Sequence, residues 1–407
     1  MKKPAASKFS VLSQVCKLIP GHLVASIARK HGVDVKSRSF TPWSHVVALL
    51  YAQLTHAFGL NDVCDGLRHH SGKLGAIRGA VPPARNTLSH ANKMRESKMM
   101  EELFWTMLNH LQNQCPGFGL RYKGLPRRFR RAVYAIDSST IALVANCMSW
   151  AKHRRRKAAA KCHLRLDLGT SLPAFAIIEE ASHHDDTRAR ELCAGLQDGE
   201  IALFDKAYIN FSHLYDLGER GVFWVTRAKD NMSFHVCKKL LRKPKGKVLR
   251  DDIITLKTPR SREDYPCKLR RVLMLVELDG KEVEMAFITN NLDWAASSVG
   301  DLYQARWGIE VFFKQIKQTL KVCDFLGHSK QAIRWQLWSA LLLYILLRYL
   351  SQASGWPYSF MRFFTMTRAV IWDRIDLFDL LRIYGTANGR WRMRAAPEAA
   401  YLPGLSP

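Results

Sequence analysis

Three carboxylates in this chain stand where chemistry on a phosphate could be built. Asp137 closes the apolar run Ala132-Val133-Tyr134-Ala135-Ile136, and Asp205 closes Ile201-Ala202-Leu203-Phe204. Runs of this kind form central strands, and residues at their ends are held rigidly and can face a common cleft. Two carboxylates meeting there repel one another unless cations neutralise them. A hard ion such as Mg²⁺, which takes carboxylate and water oxygens together with a substrate phosphate, meets that need. Either Asp alone reads as a strand-end or turn residue; the pair, in this shared position, does not.

Glu310 is the third. On a helix from Tyr303 to Lys321, at about 100° per residue, Tyr303, Arg306, Glu310 and Lys317 fall within an arc of roughly 60°. Lys314 and Lys321 lie on or beside that arc, and Ile309, Phe312, Phe313, Ile316 and Leu320 form the neighbouring face, expected to be the core contact. A solvated helix usually mixes Glu and Lys for i,i+4 pairing, but this one has no second acid between Tyr303 and Lys321. A single Glu with cations on either side suits a third metal ligand flanked by phosphate contacts. The blander alternative is a surface ion cluster of Glu310 with Arg306 and Lys314.

The elements that must position these residues are legible in outline. The runs around 132–136, 162–168 and 174–179, a helical stretch 187–196, the run 201–204, a helix 211–220 and the run 222–226 give the order β-β-β-α-β-α-β. That order describes an α/β (α+β) class chain with an RNase H-like mixed sheet flanked by helices. Asp279-Gly280 between two β-rich runs, 269–278 and 281–289, is a strong hairpin signal. The expected organisation is a helical N-terminal domain at 1–120, a catalytic domain at 130–230 and 300–350, a β-rich insertion at 230–300, and a helical segment with a loose tail at 351–407. Within the first part, Thr41-Pro42-Trp43 starts a buried helix. A Gly/Pro-rich loop is expected at 71–83, and 85–95 reads as an amphipathic helix, with DNA contact the weaker reading.

Composition narrows the partner. Of 407 residues, 62 are Lys or Arg against 35 Asp or Glu, a net charge of +27. That surplus favours a polyanion, because each phosphate neutralised releases counterions. Between Arg121 and Arg165 there are 13 Lys and Arg and a single carboxylate, Asp137. Nine scattered cysteines, none in a Cys-x-x-Cys pair, fit a reducing compartment and argue against a zinc ribbon or disulfide framework. The most apolar segment, 337–350, is short of the roughly 20 residues that span a bilayer, so a buried helix is expected and no membrane partner.

Tyr303-Gln304-Ala305-Arg306-Trp307-Gly308-Ile309-Glu310, followed by Lys317, resembles the Y-x₂-R-x₃-E-x₆-K signature of the insertion-sequence-4 family of bacterial DDE transposases, at all four positions. Ala135-Ile136-Asp137-Ser138-Ser139 resembles that family's first Asp motif and Phe204-Asp205-Lys206-Ala207-Tyr208 its second, with Ala207 where many members have Gly. The resemblance implies a catalytic and metal-binding triad of Asp137, Asp205 and Glu310, with Mg²⁺ (Mn²⁺ as substitute), two ions per site. It implies contacts of Tyr303, Arg306 and Lys317 with double-stranded DNA, with Lys314 and Lys321 beside them. The implied activity is cleavage at terminal inverted repeats and strand transfer, in a homodimeric synaptic complex in the bacterial cytoplasm. Some relatives stack a flipped base on a Trp; Trp294 is placed for this but reads as a structural aromatic. The competing readings are an RNase H-like nuclease that cuts without joining, and a captured transposase kept as a DNA-binding regulator.

Overall fold

The computed structural model describes residues 3–384 apart from 36, 120–128, 144–146, 148–151, 155–156, 181–184, 279 and 321–324. The chain divides into two compact units, one of Met1–Gly119, Ile141–Ala160 and Phe313–Pro397, the other of Leu120–Thr140, Lys161–Phe312 and Glu398–Pro407. The C-terminal tail expected to be loose lies outside the described residues.

The first unit is mostly helical. Helix α1 (Pro42–Thr55) begins as the sequence indicates: the Thr41 hydroxyl accepts from Ser44 N–H at 3.1 Å and Pro42 occupies the first turn. α2 (Arg85–Met94) and α3 (Lys98–Gln114) follow. The segment expected to be a loop at 71–83 instead contains a short helix, Ser71–Gly75, because Leu74 is buried and gives one turn something to pack on. The long helix Lys330–Ala353 is apolar on nearly every side and packs against α1, α2 and α3. His45 of α1 joins three of these elements. Its Nε2 lies 2.7 Å from Asn92 Oδ1 of α2 and its ring 4.4 Å from that of Trp335 on the long helix. Burial, with Arg95 nearby, pushes the His45 pKa down to about 3, so it packs as a neutral ring. No helix among the described residues is long and apolar enough to cross a membrane.

The second unit is built on a mixed sheet. Its sheet includes β1 (Val133–Leu143), whose last residues belong to the first unit, β2 (Lys152–Arg154), which belongs to the first unit, and β3 (Lys157–Asp167), whose first residues do. β4 (Leu172–Glu180), helix α4 (Asp185–Cys193), β5 (Ile201–Phe204), helix α5 (Phe211–Glu219) and β6 (Phe223–Arg227) complete the expected order, with β2 as an extra short strand. Four more strands, β7 (Phe234–Lys239), β8 (Val248–Leu256), β9 (Leu269–Leu278) and β10 (Lys281–Thr289), form an antiparallel extension. The strand order is β2-β3-β1-β5-β6-β10-β9-β8-β7, with β4 on β3. β9 and β10 form the hairpin read from the sequence, Leu278 opposite Lys281, although Asp279 of its turn lies outside the described residues. β10 pairs with β6, Ile288 opposite Thr226, so the segment that interrupts the sequence pattern joins the same sheet rather than standing apart. On one face of the sheet, Ile136, Phe204, Trp224 and Ile288 pack with Leu192 of α4 and Leu214 and Leu217 of α5. Burying each such side chain contributes roughly 1.5–3 kcal/mol. Trp224 also satisfies its indole N–H on Leu214 C=O at 3.0 Å.

Candidate active site

The register of β1 and β5 places the first two carboxylates. The strands are parallel neighbours with Ile136 opposite Phe204, so Asp137 and Asp205 are the next residues on adjacent strands, about 4.8 Å apart across the sheet at the backbone. They differ in setting from the sequence reading. β1 continues to Leu143, so Asp137 lies within a strand, at the point where pairing with β5 stops; Asp205 leaves the sheet at once and starts a single 3₁₀ turn, Lys206–Tyr208. Tyr208, almost wholly buried and near the Phe204 ring, anchors that turn, and Lys206 pairs with Asp230 at 3.5 Å.

The helix expected from Tyr303 to Lys321 is not continuous. α6 (Ala296–Ala305) ends at Arg306, and α7 (Gly308–Lys314) begins after Trp307 and runs into a π turn, Gln315–Thr319. Through the junction the backbone takes i→i−3 bonds: Arg306 N–H to Tyr303 C=O, Ile309 to Arg306 and Glu310 to Trp307, all 3.0–3.1 Å. Such bonds tighten the turn to three residues. Gly308 is the residue type that lets the step approach the turn after β3: a Cβ there would stand 3.0 Å from Leu168 Cδ2. In the π turn, Leu320 N–H reaches Gln315 C=O at 3.1 Å. The uniform 100° phase that put four residues on one arc therefore does not hold along this segment.

Tyr303, Arg306 and Glu310 nevertheless meet both aspartates. Arg306, with its side chain 7% exposed, donates from Nη1 to Asp137 Oδ2 and from Nη2 to Glu310 Oε1, each at 2.9 Å. The Tyr303 ring packs on Phe287 of β10, 4.8 Å between centroids, and its hydroxyl lies 3.4 Å from Asp205 Oδ1. The Arg306 guanidinium carbon sits 5.3 Å from the Tyr303 ring centroid, and its Nε is buried with no hydrogen-bond partner. Burial pushes the Asp137 carboxyl up to about 6; Arg306 and the Ser138 N–H work against that, and the Asp205 and Glu310 charges add to it. For Arg306, burial opposes the charge, but Tyr303, Asp137, Glu310 and Asp205 together hold its pKa above the ordinary value. Burial likewise raises Tyr303.

Among the described residues, no three His, Cys, Asp or Glu side chains are gathered closely enough to form a ready metal cluster. The donor set still fits a divalent cation. Three carboxylates share the field of one guanidinium, and their mutual repulsion already shows at Asp137. Hard oxygen donors with uncompensated charge are what such an ion takes. Lys314 is exposed at the end of α7, and Lys317 is half-buried in the π turn. Lys321 lies outside the described residues. Trp294 packs its ring on Phe129 (5.7 Å) and Phe223 (5.3 Å), a structural aromatic as read from the sequence. Two positioning residues were missed, Phe287 and Leu168. Phe287 is an ordinary apolar strand residue and Leu168 an apolar residue in the turn after β3, and nothing in the local sequence of either marks what it touches.

The family described as Transposase DDE domain matches residues 128–346, more than half of the chain, and the chain belongs to it. It is a DDE transposase enzyme of the insertion-sequence kind, with the divalent-metal dependence of that family, and its mixed sheet with flanking helices fits an RNase H-like fold. Residues 7–77 match a domain of unknown function (DUF4372). The chain is similar to a probable transposase for insertion sequence element IS5377 of Geobacillus stearothermophilus, 29% identical over 91% of this chain and 95% of that one. It is 28% identical to a putative transposase, y4zB, of Sinorhizobium fredii over 78% of this chain and 86% of the relative. The transposase for insertion sequence element IS4 of Escherichia coli is 27% identical over 46% of this chain and 42% of its own. A piggyBac transposase synaptic complex with hairpin DNA aligns over 91% of this chain and 83% of that chain at 10% identity, with a TM-score of 0.45.

Proposed function

We propose that the chain is an insertion-sequence-4-type transposase that binds the terminal inverted repeats of its element, cuts the DNA there and joins the ends to a target. Asp137, Asp205 and Glu310 are its metal-holding triad and Tyr303, Arg306 and Lys317 its contacts to the DNA end. The observation that carries this reading is the Arg306 fork, which joins the first and third carboxylates while Tyr303 touches the second. Residues from three distant segments, picked out by one sequence signature and two Asp motifs, thus share one place. The helical N-terminal part, 1–120, is assigned to DNA-end recognition, and joining two ends calls for a homodimer.

The three carboxylates would hold Mg²⁺, two ions per site, which would supply activation of a water or a DNA 3′-hydroxyl and stabilisation of the leaving oxygen. The protein's own groups supply orientation. Arg306 is poised to exchange its carboxylate partners for phosphate oxygens, to which its planar fork is matched, and Lys317 acts as a point charge. Tyr303, braced on Phe287, donates a hydrogen bond from its hydroxyl to Asp205 Oδ1 and so helps orient that carboxylate. Burial raises the Asp137 carboxyl above the usual carboxylate range, while Arg306 and the Ser138 N–H favour its charged form.

The test is Glu310→Ala. Binding to an inverted-repeat duplex should stay within about threefold of wild type, while strand cleavage falls by at least about a hundredfold, the scale of losing a charge-stabilising group. Wild-type cleavage by the variant would remove Glu310 from the triad.

A further inference from the structure

At the far edge of the sheet from the carboxylate strands, β7 and β8 form a hairpin whose β7 strand and turn carry charge of one sign only. From Lys238 to Arg250 the chain has seven cations and no acid. Lys238, Lys239, Arg242, Lys243, Lys245 and Lys247 are all exposed, and no carboxylate among the described residues is within ion-pair distance of them. The next two acids are committed elsewhere: Asp251 to Arg270 at 2.7 Å and Asp252 to Arg271 at 3.9 Å. The tip is not a loose tail. Lys245 and Val248 exchange backbone hydrogen bonds at 2.9 and 3.1 Å across a tight turn, with Gly246 at φ +58°, which a residue with a Cβ rarely adopts.

Lysines on an edge strand commonly serve to prevent edge-to-edge pairing. That accounts for Lys238 and Lys239 on β7. It does not account for Arg242, Lys243, Lys245 and Lys247, which lie beyond β7 in the turn, nor for the absence of any acid, since either sign of charge would protect an edge. Five strand spacings separate β5 from β7, about 24 Å at about 4.8 Å each, so the hairpin stands well away from Asp205. That distance corresponds to roughly seven base pairs of duplex at about 3.4 Å per pair.

We propose that the β7–β8 hairpin is a sequence-independent clamp on the phosphate backbone of duplex DNA, outside the cleavage point. This rests on the reading of the chain as a DNA-cutting enzyme. Each phosphate a hairpin cation neutralises adds about 0.9 to the steepness with which log affinity falls against log salt.

The test is binding of the full chain to a labelled duplex of unrelated sequence across a salt series, followed by fluorescence anisotropy. Three proteins are compared: wild type; the hairpin variant Arg242→Gln, Lys243→Gln, Lys245→Gln and Lys247→Gln; and a charge-matched control, Lys257→Gln, Arg260→Gln, Arg262→Gln and Lys268→Gln, from an exposed stretch that also carries Glu263 and Asp264. The hairpin variant should lose about 3–4 from the salt slope and about tenfold or more in affinity, with the control near wild type. Single changes at Lys243 or Lys245 should each remove about 1, which keeps the test sharp should the fourfold variant fold poorly. An unchanged slope in the hairpin variant, equal losses in both variants, or a loss confined to structured RNA would overturn the clamp while leaving DNA cutting intact. If the wild type binds no duplex at all, including its own terminal repeat, the DNA-cutting reading itself falls and the clamp with it.

Discussion

Arg306 is the residue on which the site turns. Its guanidinium is nearly buried, and it satisfies two carboxylates, one four residues on and one 169 positions away in the chain. Removing one partner of a buried ionic group leaves the other charges uncompensated, at a typical cost of about 3–5 kcal/mol. Arg306→Ala should therefore melt several degrees lower than wild type in EDTA, by calorimetry, and should regain more of that loss on adding Mg²⁺ than the wild type gains. Arg306→Lys keeps the charge without the fork and should fall between the two. Equal melting of all three proteins would mean the fork has no energetic weight. At this scale the sequence was informative about identity and silent about contact. Asp137, Asp205 and Glu310 stood out because apolar runs and a lone acid among cations are local patterns. The Arg306–Asp137 bond is long-range, and no spacing within one segment announces it.

At the scale of elements, the parallel register of β1 and β5 puts two carboxylates side by side, and the broken passage from α6 to α7 brings the third. At the break Gly308 lies close to Leu168, a proximity that propensity along the helix cannot reveal, so a single amphipathic helix was the natural reading of 303–321. The step is sensitive to bulk. Gly308→Val would drive a branched side chain into Leu168, a cost of about 1–3 kcal/mol for overpacking. It should also displace Glu310, two residues on, and lower cleavage. Adding Leu168→Ala should restore part of both stability and cleavage, and a double variant no better than Gly308→Val would show that the contact does not set the step. Elements with strong local signals were read well: the Thr41-Pro42 start of α1, the β9–β10 hairpin and the apolar strands of the sheet. The extent of β1 and the helix at 71–75 were not, since tertiary packing decides both.

For the whole molecule, charge and burial make two separate demands. The net charge of +27 was plain from composition, and the sequence drew notice to cations around 121–165, many of which lie outside the described residues. The concentration on the β7–β8 hairpin went unread because its meaning depends on the strand order, which leaves β7 at an edge. Acid stability is set partly in the helical unit. His45 is held neutral, its pKa lowered from 6.5 to about 3, so the unfolded chain binds a proton that the folded one does not. Its contribution is fully present above pH 6.5 and is lost as pH falls toward 3, at about 1.4 kcal/mol per pH unit. Denaturant titrations over that range should show a shallower acid loss for His45→Leu than for wild type; parallel curves would assign the loss to other groups. Neither charge nor acid response bears on the triad as directly as the reaction itself. The deciding measurement is cleavage of labelled DNA carrying the element's own terminal repeat, with Mg²⁺ or Mn²⁺ and with EDTA, by wild type and Asp205→Ala. The triad account expects metal-dependent cutting at the repeat boundary that disappears in the variant; cutting that survives EDTA or the loss of Asp205 would contradict it.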